Sequence, residues 1–249
     1  MRTLPFFTLL LLLPAVLHTG CSSIQPADAS LPGPGKILVD LEKKEVIVHA
    51  LVQRPEGKPC IDDWGGRPQA FAGCRNTAAG EAIFADYFVF LTDAKTEEVY
   101  DGLISLGART RRHITIKEGK KRAGLKHTTT ESDYLQGDPV LLSVFWQEGE
   151  RWKELPYDAF AEEKIVHEGT EIVKPWTPHF VFHGSGAIHG TGTGCIACPC
   201  DCPGGIIADN RNPVYNPKPQ VRFDWSKAPP VGTEVYIRIR AASSRGLVN

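Results

Sequence analysis

Four cysteines stand within eight residues, in the run Gly194-Cys195-Ile196-Ala197-Cys198-Pro199-Cys200-Asp201-Cys202-Pro203-Gly204. A segment this short cannot send its thiols to separate core sites, so the sulfurs must lie close together and either bond to one another or share a ligand. As a metal site, C-x2-C-x-C-x-C offers four soft ligands suited to zinc or cuprous copper. His183 and His189 are the candidate nitrogen ligands upstream; His179, four residues before His183, would share its face on a strand. An iron–sulfur cluster fits less well, because the ferredoxin spacing is wider and folded export calls for a twin-arginine signal where only Arg2 is present. As disulfides, Cys195 with Cys198 closes a small ring, whereas Cys200 with Cys202 would be strained and easily reduced. As redox thiols, the pair would need a helix start to lower its pKa, and Pro199, Pro203 and the flanking glycines oppose a helix. Metal binding leads, with structural disulfides and redox thiols as the alternatives.

The other cysteines have different surroundings. Cys60 and Cys74 bracket the turn-rich Asp62-Asp63-Trp64-Gly65-Gly66, and a disulfide between them would stabilise by about 3 kcal/mol in the chain-entropy picture. The rival arrangement has one of them joining the Cys195–Cys202 cluster in space. Cys21 follows Met1-Arg2, an apolar stretch from Phe6 to Leu17, and His18-Thr19-Gly20. A charged start, an apolar core too short for the roughly 20 residues of a membrane span, and a small-residue exit predict a secretory signal peptide over residues 1–20. Thr19-Gly20-Cys21 is similar to a bacterial lipobox, which makes Cys21 the expected site of fatty acylation; ordinary secretion with Cys21 free or paired is the alternative. Residues 21–35, rich in Ser, Ala, Pro and Gly, read as a flexible tether behind that anchor. The expected location is the bacterial cell envelope, facing the periplasm or the exterior.

Without residues 1–20 the chain keeps 229 of its 249 residues, enough for a single globular domain over 36–249. With 28 Lys+Arg against 29 Asp+Glu there is no basic field for nucleic acid. The expected partners are the membrane surface, through the anchor, and an envelope protein. Arg109 to Lys126 is a local basic run that reads as a solvated loop. The glycines Gly184 to Gly194 complete neither a dinucleotide fingerprint nor a P-loop. No nucleophile elbow or H-E-x-x-H occurs, so hydrolase chemistry has no support in the sequence.

The elements that must hold these residues are mostly strands. Ile37 to Leu41 and Glu45 to Val52 read as a hairpin; Tyr87 to Leu91, Ile114 to Ile116, Val140 to Trp146, His179 to Phe182, Ile206-Ile207 and Val235 to Ile239 are further strands. Val99, Leu103 and Leu106 repeat at helical spacing, predicting a helix over about 94–106 that Gly107 ends. A shorter helical turn is expected after Pro156. The fold class predicted is α+β and β-rich, a mixed or antiparallel sheet with one main helix.

The early hairpin, Leu103-Ile104-Ser105-Leu106-Gly107-Ala108, the strand ending Phe145-Trp146, and Phe180-Val181-Phe182-His183-Gly184-Ser185-Gly186 together resemble the YdjY-like family of exported bacterial proteins. The resemblance covers most of the chain after the tether and implies a fold outline with little chemistry. Against it, the cysteine-rich segment, residues 190–205, reads as a loop insertion before Gly205-Ile206-Ile207-Ala208-Asp209. The functional expectation is a non-catalytic, membrane-tethered binding module whose Cys195–Cys202 loop holds a soft metal; a thiol–disulfide protein or a disulfide-stapled interaction domain is the alternative. Replacing the expected lipid site, Cys21→Ala, should move the protein from the membrane pellet to the soluble envelope fraction after a salt wash. Retention in the pellet would refute the anchor.

Overall fold

Val46, Val48, Ala50 and Val52 alternate with Glu45, Ile47, His49 and Leu51, and Val235, Ile237 and Ile239 alternate with Tyr236, Arg238 and Arg240. Each such strand turns its apolar side to the core, and the computed structural model shows how those sides meet. It is described for residues 31–55, 71–112, 136–184, 192–199, 205–210 and 220–242. The order is β1 (Ile37–Asp40), β2 (Glu45–Val52), β3 (Ala72–Thr77), β4 (Gly80–Glu81), β5 (Phe90–Lys95), α1 (Thr96–Ser105), β6 (Thr110–Arg112), β7 (Gln136–Glu148) and β8 (Arg151–Pro156). A 3-10 turn (Tyr157–Phe160) follows, then β9 (Ala161–His167), β10 (Thr170–Pro175), β11 (Phe180–Phe182), β12 (Cys195–Cys198), β13 (Ile207–Asp209), β14 (Gln220–Phe223) and β15 (Glu234–Ala241).

Following the pairings round, β2 bonds β15, β15 bonds β7, β7 bonds β11, β11 bonds β13, β13 bonds β12, β12 bonds β3, β3 bonds β5, and β5 returns to β2. The eight strands close into a barrel, with parallel joins at β13–β12 and β3–β5 and antiparallel joins elsewhere. This corrects the expected α+β class, a mixed or antiparallel sheet with one main helix and a cysteine-rich loop insertion. The segment read as an insertion supplies a stave: β12, Cys195 to Cys198, is buried along its whole length and joins β3 to β13. An open sheet would leave these short strands as exposed edges; closure pairs them on both sides. β1, β4, β6 and β8 extend the wall beside their neighbours.

The interior is filled by side chains, among them Val46, Val48, Ala50, Val144, Trp146, Ile196, Ile207, Ile237 and Ile239. Helix α1 adds Val99 and Leu103 to this core, and Gly102 lets it approach β1 and β2, where an added Cβ would stand 3.2 Å from Val46 and 3.3 Å from Ile37. The helix starts two residues later than expected because β5 runs on to Lys95, and Glu98 accepts the Lys95 N–H at 2.8 Å. Gly107, at φ +84°, ends it as expected. The predicted turn after Pro156 is the 3-10 turn, which sends Tyr157 and Phe160 into the core. There they meet a second, three-stranded sheet, β10-β9-β14. Phe160 stacks on Phe223 with rings nearly coplanar in orientation, and Phe71 meets Phe223 and Trp176 edge-on, so aromatic contacts fasten the small sheet to the barrel.

Outside the barrel wall, Arg238 is 5% exposed and lies between carboxylates on both sides. Its Nε is 3.3 Å from Glu45, a further guanidinium nitrogen bonds Glu154, and its plane sits 4.3 Å from the Phe145 ring centre. Arg240 reaches Glu45 at 3.1 Å. Two cations thus face two anions, and the buried members, Arg238 and Glu45, require such matching.

Candidate functional site

Cys195 and Cys198 are three residues apart, and on a regular strand they would face opposite sides. β12 is not regular. Cys195 stands opposite Gly73 and Ala197 opposite Ala72, so the register slips by one residue between them, a β-bulge. The slip turns both cysteines to one side, where they pack with Phe88 and Leu91, while Ile196 and Ala197 join the main core. Cys195 and Cys198 are 0% and 2% exposed. Gly73 is what lets Phe88 cover them: a Cβ on it would stand 2.2 Å from the Phe88 ring. Gly194, at φ +81°, brings β12 against β3, its carbonyl accepting the Cys74 N–H at 2.7 Å.

A bulge breaks the ladder, and the broken bonds are made good by a side chain. The Ala72 N–H donates to the Tyr157 hydroxyl at 2.9 Å, and that hydroxyl donates to the Ala197 carbonyl at 3.2 Å. Tyr157 therefore sits as a rung between β3 and β12 at the point where the register slips. It is 1% exposed. Its phenol is held well above the ordinary tyrosine range, first by burial and next by the neighbouring Cys198, so at neutral pH it stays protonated and able to donate.

Of the other expected site residues, Cys74 lies on the opposite face of its strand, in the main core, and carries no disulfide. Burial pushes its thiol up to about 12, outweighing a hydrogen bond with Thr96. No disulfide links any two of Cys74, Cys195 and Cys198. His183 is wholly buried beyond the end of β11; its N–H bonds the Ile206 carbonyl at 3.1 Å, and the Ile206 N–H bonds the Cys195 carbonyl at 3.2 Å. His183 and Cys195 thus belong to one backbone row, with the start of the β13 segment between them. His179 is exposed, and its N–H is held by Asp209 at 3.0 Å. Cys21, Cys60, His189, Cys200 and Cys202 lie outside the described residues. Among the described residues no three His, Cys, Asp or Glu side chains converge as a metal-holding group.

Sequence reasoning passed over Tyr157, whose role depends on a bulge that no local pattern announces. It also passed over a 450 Å³ surface cleft lined by Leu141, Ser143, Glu154, Asp158, Phe180 and Arg240. Burial works to raise Glu154, but hydrogen bonds from Arg238 and Ser143 outweigh it and hold the carboxyl below its usual range. Asp158 is raised by burial.

The fold and the site define a side-chain-filled β-barrel with a bulged C-x-x-C stave buried under aromatic cover. The YdjY domain model matches residues 37–240, and the chain belongs to the YdjY family. No curated protein and no solved structure matches it.

Replacing Tyr157 by Phe keeps the ring and removes the rung. It strands a buried N–H and a buried carbonyl, so Tyr157→Phe should cost about 1–3 kcal/mol in denaturant unfolding. An unchanged midpoint and slope would contradict the rung.

Proposed function

We propose that this protein is a non-catalytic binding module of the bacterial envelope, tethered through Cys21, that holds a soft transition-metal ion on thiolates of the Cys195–Cys202 segment. The observation that carries the reading is the bulge, which puts Cys195 and Cys198 on one side of β12 where a regular strand would part them. Two sulfurs on one face, with Cys200 and Cys202 two and four residues on in the sequence, suit a soft ion such as zinc or cuprous copper. The apolar cover of Phe88 and Leu91 bears on the chemistry as well. Burial disfavours a bare thiolate, so charged sulfurs there need a cation to offset them, and the apolar shell would keep water from that cation. His183, in the row of Cys195, is a described nitrogen candidate.

The same cover weighs against thiol–disulfide exchange, which needs an incoming sulfur to approach along the bond it breaks. Nor does a strand supply the helix N-terminus that activates the first thiol of a redox C-x-x-C.

Metal analysis of protein isolated without added metal should find about one zinc, or one or more copper ions, per chain, as a closed thiolate site implies. The metal should be lost in a Cys198→Ser, Cys200→Ser double variant. A metal-free parent with disulfides mapped within Cys195–Cys202 would overturn the reading in favour of a stapled or redox segment.

A further inference from the structure

β7 loses one of its neighbours in mid-course. β8 pairs with it from Glu148 back to Ser143, where Pro156 stands opposite, and β11 pairs with it only at Pro139 and Asp138. At Val140, Leu141 and Leu142, β7 has β15 on one side and neither β8 nor β11 on the other. The gap follows from local chemistry: Pro156 has no N–H with which to extend the ladder, and the 3-10 turn after it takes Tyr157 inward to its rung. A missing strand about 5 Å wide, along three residues of about 3.3 Å each, leaves an elongated slot in the wall. That slot is the 450 Å³ cleft. It is lined by Val140, Leu141 and Leu142 of the unflanked stretch, and by Pro156, Asp158 and Phe180 where β8 leaves and β11 begins. Leu141 is 60% exposed, so the slot opens to solvent.

Three charged side chains line this cleft, and two of them are matched within the chain. Glu154 takes hydrogen bonds from Arg238 and Ser143, and Arg240, across β7, reaches Glu45 at 3.1 Å. Asp158 is the third. It is half-buried, burial raises its carboxyl, and only its own backbone N–H works the other way; no described lysine, arginine or histidine pairs with it. We propose that the cleft binds a small organic ammonium ion, with the N–H groups on the Asp158 carboxylate and the carbon body along Leu141 and Phe180. The charge balance selects a cation, because the one unmatched charge of the lining is negative. The rest of the lining selects an organic one. A metal ion held by hard ligands would need several oxygens, whereas no three His, Cys, Asp or Glu side chains converge among the described residues, and Pro156, Leu141 and Phe180 offer carbon. An ammonium group brings its own donors and its own charge to a carboxylate that burial otherwise penalises. No cysteine or histidine lines the cleft, so the proposal stands apart from the metal reading.

The test follows the backbone amide signals of the full chain in a neutral detergent while n-butylammonium, or 1-butanol as the same carbon chain without charge, is added. Butylammonium should shift the amides of Leu141, Asp158 and Phe180 saturably, and should bind about fivefold more tightly than butanol, the margin of one partly buried ion pair. Asp158→Asn, which keeps the shape and removes the charge, should bring butylammonium down to the level of butanol. Leu141→Lys, at an exposed position, sets a competing cation in the cleft and should weaken butylammonium independently of how the Asp158 variant folds; the spectra report the folding of both. Equal binding of the two probes by the parent, butylammonium binding unchanged in a folded Asp158→Asn or Leu141→Lys variant, or shifts confined to other parts of the chain would overturn the proposal.

Discussion

A hydroxyl group closes this barrel. Where β12 slips against β3, the Ala72 N–H and the Ala197 carbonyl no longer meet, and the Tyr157 hydroxyl stands between them, accepting from one and donating to the other. Both groups are buried, and leaving either without a partner would cost more than the bond itself contributes. Tyr157 reaches that point only because the 3-10 turn after Pro156 carries it under Phe71 and beside Trp176 and Phe180, so the aromatic seam between the barrel and the small sheet also fixes the hydroxyl. One residue thus couples the closure of the barrel, the docking of the second sheet and the orientation of β12.

That coupling is what gives the cysteine pair its geometry. The extra residue of the bulge puts Cys195 and Cys198 on the side away from the main core, where Phe88 covers them and Gly73 makes room for its ring. Cys74, one residue from Gly73 on β3, falls on the other side and remains a core residue with a thiol too desolvated to ionise near neutral pH. The same register that groups two cysteines therefore separates the third. Elsewhere on the outer wall the buried Arg238 and Glu45, with the half-buried Glu154 and the exposed Arg240 beside them, each meet an opposite charge across neighbouring strands.

The long strands were legible in the sequence because their alternation is unbroken: the hairpin Ile37–Asp40 with Glu45–Val52 appears as read, and Val235 to Ile239 lies within β15. The helix was legible from Val99 and Leu103, and its end from Gly107. The closure was not. It rests on β3, β12 and β13, short segments in which all or most residues are buried, and in β12 the bulge erases the period of two that would have marked a strand. Its Cys-Ile-Ala-Cys run, flanked by glycines and followed by Pro199, carries the composition of a loop, and strand identity came from long-range pairing instead. The candidate site was legible in its residue types, since the close spacing of Cys195 and Cys198 was plain; the face they share was not, because it depends on Ala72 and Tyr157, far away in sequence.

Amide hydrogen exchange at Ala72 tests the central claim most directly, because its N–H has the Tyr157 hydroxyl as acceptor at the slipped register. If that hydroxyl closes the barrel, the Ala72 amide should exchange as slowly as that of Ile237, in the middle of the regular β2–β15–β7 wall, through opening of the whole domain. Fast exchange at Ala72, with Ile237 still protected, would show that the β3–β12 seam opens on its own and that the barrel is not held shut there.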